Sequence, residues 1–200
     1  MTKVVLASNN AGKLKEFSAI LAQAGIDMVA QGELGVSEAE EPHATFVENA
    51  LAKARHASRQ TGLPALADDS GLCTQALNGA PGVYSARYAA MAGGEKSDAA
   101  NNRHLVAQLA SQTDRSACYV AVLVYVSSAD DPRPLIAEGS WQGRIIDQPR
   151  GDNGFGYDPY FYLPDQDRTV AELEPAEKNA QSHRAQALQV LLGALRARVA

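Results

Sequence analysis

The sequence predicts an α/β or α+β fold built on one mixed sheet. Three observations lead there. A short apolar, β-branched run at residues 3–7 passes almost directly into a helical pattern, as in a parallel α/β unit. Residues 117–127 and 135–141 bracket an Asp130-Asp131-Pro132-Arg133 turn and read as an antiparallel hairpin. The chain closes on a long amphipathic pattern over 182–199, with Ala185, Leu188, Leu191, Leu192 and Leu195 on one helical face.

Taken in order, the first helix carries Leu14, Phe17, Ile20, Leu21 and Ala24 at helical spacing and stops at Gly25. Residues 27–30 suit a second strand. Residues 31–43 are acidic and irregular. A helix over 45–60 opens on Thr45 as N-cap, with Glu48 at the capping-box position. Its expected apolar face is Phe46, Val47, Ala50, Leu51 and Ala54. Residues 64–67 form a short strand that ends at Asp68 and Asp69. Gly-rich turns follow at Gly79-Ala80-Pro81-Gly82 and Gly93-Gly94, then a helix over 99–110. Beyond the hairpin, 143–146 suits a further short strand, and 149–159 is a Gly/Asp-rich loop holding aromatic residues. Residues 182–199 are the last helix, with Ser182 as N-cap.

Size and composition narrow the class. At 200 residues and 46% hydrophobic, the chain suits one globular domain over 1–200, of two lobes without a linker. A net charge of −5 with no basic run argues against a nucleic-acid polymer as partner. Cys73 and Cys118 lie far apart with no CxxC or Cys/His spacing, which argues against structural zinc and for a reduced cytoplasmic setting. The apolar stretch at the N-terminus is too short for a signal peptide. No run approaches about 18 apolar residues, so no membrane span is expected.

Four constellations carry candidate chemistry. Asp68 and Asp69, followed by Ser70 and Gly71, end an apolar run. Adjacent carboxylates repel unless a cation or proton separates them, and Mg²⁺ prefers such hard oxygen ligands. Glu40 and Glu41 could add a further carboxylate from a separate segment. The same Asp, Ser and Gly residues are also ordinary turn formers. Ser8-Asn9-Asn10-Ala11-Gly12-Lys13 lies between a strand and a helix, where backbone amides and a lysine can face an anion. It has neither the Walker A nor the Rossmann spacing. Gly154-Phe155-Gly156-Tyr157-Asp158-Pro159 suits a slot for a planar ring. Lys178, His183 and Arg184 place cations about the start of the last helix, against its dipole.

The order and spacing of these segments, with Gly79-Ala80-Pro81-Gly82-Val83-Tyr84-Ser85-Ala86-Arg87-Tyr88 and Glu177-Lys178-Asn179, resemble the inosine triphosphate pyrophosphatase family over nearly the full length. Asn9 stands where that family often has glycine. The resemblance implies an α/β fold with a long mixed sheet flanked by helices, two lobes and a nucleotide-binding cleft between them. It implies Mg²⁺-dependent hydrolysis of ITP, dITP and XTP to monophosphate and pyrophosphate by a homodimer, clearing deaminated purines from the nucleotide pool. By the same resemblance Asp69 accepts the proton of the attacking water. Asp68, Asp69 and Glu41 hold the metal, with Glu40 the near alternative. Ser8, Asn9, Asn10, Ala11, Gly12, Lys13 and Ser70 meet the phosphates. Phe155, Gly156, Tyr157 and Asp158 line the base slot, and Lys178, His183 and Arg184 donate to a 6-keto group. A pyrophosphatase for other modified nucleotides and a nucleotide-binding module without turnover are the rival expectations.

Overall fold

Val4, Val5 and Leu6 have no exposed surface to speak of, which places the first strand inside a sheet. The computed structural model describes residues 2–199. Its elements run β1 (Thr2–Leu6), α1 (Ala11–Leu21), β2 (Ile26–Ala30), α2 (Phe46–Thr61), β3 (Ala65–Thr74), α3 (Tyr88–Met91), α4 (Asp98–Leu109), β4 (Ser116–Val126), β5 (Leu135–Ile145), β6 (Phe161–Leu163), β7 (Arg168–Thr169), α5 (Pro175–Gln181) and α6 (His183–Val199). The strands form one seven-stranded sheet in the order β2-β1-β3-β4-β5-β6-β7. β1 is parallel to β2 and β3, whereas β6 is antiparallel to β5 and β7, so the sheet is mixed and the fold is α/β. The Ile145 amide donates to the Arg115 carbonyl at 2.9 Å, so the end of β5 lies beside the start of β4, as a hairpin requires.

The chain divides into two compact units. The first holds residues up to Asp69, Ala121–Gly139 and the segment from Gln186 on. Its core joins Val4, Leu6, Leu66 and Leu123 of the strands to Phe17 and Leu21 of α1 and to Leu188, Leu191, Leu192 and Leu195 of α6. The expected face of the last helix is therefore the buried one. The second unit holds Ser70–Val120 and Ser140–Ala185. Its core gathers Leu72, Leu105, Leu109, Tyr119, Trp141, Ile145, Phe161 and Leu173.

Helix ends follow local chemistry. The Thr45 hydroxyl accepts from the Glu48 amide at 3.3 Å and donates to its carboxylate at 2.6 Å, and α2 stops at Gly62 in the left-handed region. The Ser182 hydroxyl accepts the Ala185 amide at 3.2 Å and starts α6.

Three expectations are corrected, and one stretch goes unread by periodicity. β3 does not end at the acidic pair: it continues through Asp68, Asp69, Ser70 and Gly71 to Thr74, because Leu72 gives its second half a core of its own. β5 runs unbroken through Gly143, where a Cβ would come within 2.5 Å of Phe161 Cε1; the glycine marks close packing, not a strand end. The buried face of α2 is Asn49, Ala50, Ala54, Ala57 and Ser58, while Phe46, Val47 and Leu51 are only half-buried. Small side chains let this face pack closely. Finally, β6, β7 and α5 lie in a stretch too short-grained for periodicity to register, though Glu174 and Glu177 form a capping box around Pro175.

Candidate active site

Within the first unit, β3 carries Asp68 and Asp69 into the interior, 4% and 7% exposed. A buried carboxylate needs a partner, and each aspartate has a lysine. Lys13 Nζ lies 2.8 Å from Asp68 Oδ2. Lys53 Nζ lies 2.9 Å from Asp69 Oδ1 and 2.6 Å from Glu41 Oε1, and also donates to the Asp68 carbonyl at 2.9 Å. Glu41 is held in reach because Asn49 of α2 both accepts from and donates to the backbone of His43, at 3.0 and 3.2 Å. Glu40 is exposed. Asp69 Oδ2 is buried with no hydrogen-bond partner among the described residues.

These contacts set the protonation chemistry. Burial raises the Asp69 carboxyl above the usual carboxylate value of 3.8, against the pull of Lys53 and with help from the charges of Glu41 and Asp68. Burial works to lower the Lys53 ammonium, but Asp69 and Glu41 more than offset it and leave it raised above 10.5. Three carboxylates face two ammonium groups, an excess of one negative charge that suits a divalent cation shared with phosphate oxygens. Among the described residues no three His, Cys, Asp or Glu side chains form a ready-made metal cage. A Mg²⁺ that keeps waters and phosphate ligands needs only one or two carboxylates, and the orphaned Asp69 oxygen is such a donor.

The segment before α1 is a turn capped by its own side chains. Of the N–H groups that open the helix, that of Asn10 donates to Ser8 Oγ at 3.2 Å and that of Lys13 to Asn10 Oδ1 at 3.0 Å. Ser8 and Asn10 thus shape the turn, and the Ala11 and Gly12 amides remain at the positive end of the helix dipole. Asn9 is exposed beside it.

The second unit holds a cavity of about 150 Å³ lined by Ser70, Gly71, Leu72, Ser85, Ala86, Asp98, Tyr119, Phe155, Gly156, Tyr157, Asp158, Lys178, His183 and Arg184. All the residues expected at the base slot therefore come together, and Ser70 joins them. Asp158 organises the wall. Its Oδ1 accepts from the Tyr119 hydroxyl at 3.0 Å, and its Oδ2 accepts from the Phe155 amide at 2.9 Å and from Lys178 at 2.5 Å. A Cβ on Gly154 would collide with that carboxylate, and Gly154 also needs its φ of +76°. Asp98 Oδ2 accepts from the Gly156 amide at 2.8 Å, and Asn102 donates to the Gly156 carbonyl at 2.7 Å. Both hold the loop from α4.

Phe155 is 62% exposed, with Lys178 Nζ 4.7 Å from its ring centroid. Such a ring offers a free face for stacking. Tyr157 lines the cavity, but it is buried, its hydroxyl donates to the Ser85 carbonyl at 2.8 Å, and its ring belongs to the core. The stacked pair inside is Tyr119 with His183, centroids 4.9 Å apart and planes 13° from parallel. Arg184 is buried and donates to Ser70 Oγ at 3.4 Å.

Sequence reasoning missed Lys53, Asp98 and Tyr119. Lys53 left a usable signal, a lysine on the alanine face of α2 between Ala50, Ala54 and Ala57. Tyr119 left none, since an aromatic residue in a strand reads as ordinary core.

Fold and site together define an α/β protein with a buried carboxylate–lysine centre and an aromatic cavity edged by cations. The Ham1 family model matches residues 4–194, and the chain belongs to that family. It is 70% identical over 196 residues to a dITP/XTP pyrophosphatase of Ralstonia nicotianae, covering 98% of both chains. It is 69% identical over 194 residues to one of Burkholderia pseudomallei, covering 97% of this chain and 93% of the other. The solved structure of a HAM1 protein from Coxiella burnetii superposes with a TM-score of 0.92 at 51% identity, covering 98% of this chain and 99% of that one. Among the described residues no helix is long and apolar enough to cross a membrane.

Proposed function

We propose that the protein hydrolyses the non-canonical purine triphosphates ITP, dITP and XTP to monophosphate and pyrophosphate, and so removes deaminated purines from the nucleotide pool of the cytoplasm. The relatives named above support the substrate class. The observation that carries the chemistry is Asp69, a buried carboxylate with one oxygen on Lys53 and the other without a hydrogen-bond partner.

Asp69, Asp68 and Glu41 would hold Mg²⁺, which when bound offsets phosphate charge and makes water easier to deprotonate. Asp69 takes the proton of the attacking water. Its raised pKa makes it a better proton acceptor than an exposed aspartate. The water oxygen bonds to the α-phosphorus, the bond from that phosphorus to the bridging oxygen breaks, and pyrophosphate leaves with the electron pair. Lys13, Lys53 and the amides of Ala11 and Gly12 offset charge on the phosphate chain, and Ser70 hydrogen-bonds to it.

Base choice rests on donors. Lys178, His183 and Arg184 favour a 6-keto oxygen, whereas the amine of adenine would leave a donor facing a donor, at a cost of roughly 1–3 kcal/mol per unmade buried contact. Phe155 stacks on the ring. The protein acts as a homodimer in this reading, which sedimentation of the purified chain checks.

A panel of ITP, dITP, XTP, dUTP and the four standard nucleotides, with Mg²⁺ present or chelated, tests the proposal. Pyrophosphate released from the 6-keto substrates only with metal supports it. Release of single phosphates, or equal turnover of dUTP, overturns it.

A further inference from the structure

We propose that Asp98 and Asn102 of α4 are positioning residues for nucleotide binding: together they hold Gly156, and so fix the Phe155 ring on which the base stacks. This rests on the reading of the cavity as a purine slot. Phe155 stands between Gly154 and Gly156, whose φ values are +76° and +62°. Glycine enters that region as readily as any other, so the backbone on either side of the ring has no local preference that would aim it. Packing does not aim it either, since Phe155 is 62% exposed. Hydrogen bonds do. The Phe155 amide donates to Asp158 Oδ2 at 2.9 Å. One residue on, the Gly156 amide donates to Asp98 Oδ2 at 2.8 Å, and the Gly156 carbonyl accepts from Asn102 Nδ2 at 2.7 Å. Both backbone polar groups of that glycine are therefore held by one helix.

The helix is built to do this. The Ser97 hydroxyl caps its start by accepting the Ala100 amide at 3.2 Å, which puts Asp98 in the first turn. Asp98 and Asn102 are four residues apart and share a face. Asn102 Nδ2 also donates to the Asp98 carbonyl at 2.9 Å, so both of its N–H groups are used. Its Oδ1 is buried with no hydrogen-bond partner among the described residues. An orphaned buried acceptor works against folding, so stability alone would favour an apolar side chain at this position. What the asparagine supplies instead is the donor to Gly156. Asp98 and Gly156 both line the cavity, so the anchor stands at the slot itself. A stacking ring held in place before the base arrives loses less freedom on binding.

The test is a double-mutant cycle on the full chain, read by calorimetry as affinity for inosine monophosphate. Asp98→Ala should weaken binding roughly 5- to 30-fold, the equivalent of leaving one backbone residue free. In a Phe155→Ala background the same substitution should cost less than about twofold, because the ring it aims is gone. Asp98→Asn, whose amide oxygen can still accept the Gly156 amide, should restore most of the affinity. Asn102→Leu should weaken binding in the same way while the melting temperature holds, since the orphaned acceptor leaves with the donor. With ITP as substrate, Asp98→Ala should raise KM and leave kcat unchanged. Equal losses from Asp98→Ala with and without the Phe155 ring, or a loss in Asn102→Leu that only tracks a lower melting temperature, would overturn the proposal. An unaltered chain that binds inosine monophosphate but leaves ITP intact would refute the proposed hydrolysis and leave the role of Asp98 to the cycle. No binding of inosine monophosphate to the unaltered chain would overturn both.

Discussion

Lys53 Nζ lies 2.9 Å from Asp69 Oδ1, and the other oxygen of the same carboxylate is buried without a hydrogen-bond partner. The lysine satisfies half of the acid and leaves the other half available. One oxygen is anchored by an ion pair, and the other is the atom of this carboxylate that can meet a metal or a proton.

Replacing Asp69 by Asn separates catalysis from binding. We expect turnover of ITP to fall by about 10²-fold or more, the usual contribution of a positioned base. The nucleotide dissociation constant, measured by calorimetry, should change by only a few-fold. The melting temperature should not drop. Because the folded state raises the Asp69 pKa, ionising this group opposes folding at neutral pH, and a neutral isostere removes that opposition. Unchanged turnover would take Asp69 out of the mechanism.

The acid limb of the pH–rate profile reports the same group. Activity should fall with decreasing pH at a value above the ordinary 3.8 of an aspartate, because burial raises Asp69. Lys53 lowers that pKa by its charge and hydrogen bond. Lys53→Met should therefore move the limb to higher pH as well as weaken phosphate binding. The position of the limb is the readout, since loss of phosphate affinity alone would raise KM and leave it in place.

Much of this arrangement was legible in the sequence, for reasons that differ by element. α2 announces its start through Thr45 and Glu48, because a cap is a local hydrogen bond. α6 shows its leucine face because one core covers it. Asp68 and Asp69 were found but placed at a strand end, since two acids in a row look like a turn. Only Lys13 and Lys53, distant in sequence, let the strand carry them inward. Tyr157 lines the cavity as expected, but its hydroxyl anchors to Ser85, and the stacked pair inside is Tyr119 with His183. Both contacts join residues more than thirty positions apart, which no local pattern records.

Tyr119→Phe tests whether Asp158 sets base preference. The tyrosine hydroxyl occupies Asp158 Oδ1 at 3.0 Å while Lys178 occupies Oδ2, and burial holds that hydroxyl pKa well above 10. Without the hydroxyl, Lys178 is drawn more tightly onto the carboxylate and offers less to a keto oxygen. The ratio of kcat/KM for ITP over ATP should fall several-fold while turnover at saturating ITP changes little. A loss of kcat with the ratio intact would assign Tyr119 to the fold alone.

Asp131 tests stability away from the site. It is buried in the loop between β4 and β5, accepts from the Ser127 amide and hydroxyl at 2.8 and 2.7 Å and from the Arg133 amide at 2.8 Å, and lies 3.2 Å from Arg198 of α6. Burial alone would raise its carboxyl, but these donors and Arg198 outweigh it and hold the group well below 3.8. A depressed carboxylate contributes stability that is present above its unfolded value and is lost as pH falls through the folded one. Asp131→Asn should lower stability at pH 7 by on the order of 2 kcal/mol, since an amide cannot accept from all four donors. The gap between the two proteins should narrow as pH drops below about 4, where the carboxylate of the unfolded wild-type chain binds a proton and that of the folded chain does not. Urea melts at pH 7 and at decreasing acid pH measure both effects, and a gap that stays constant across that range would show that the charge of Asp131 contributes nothing.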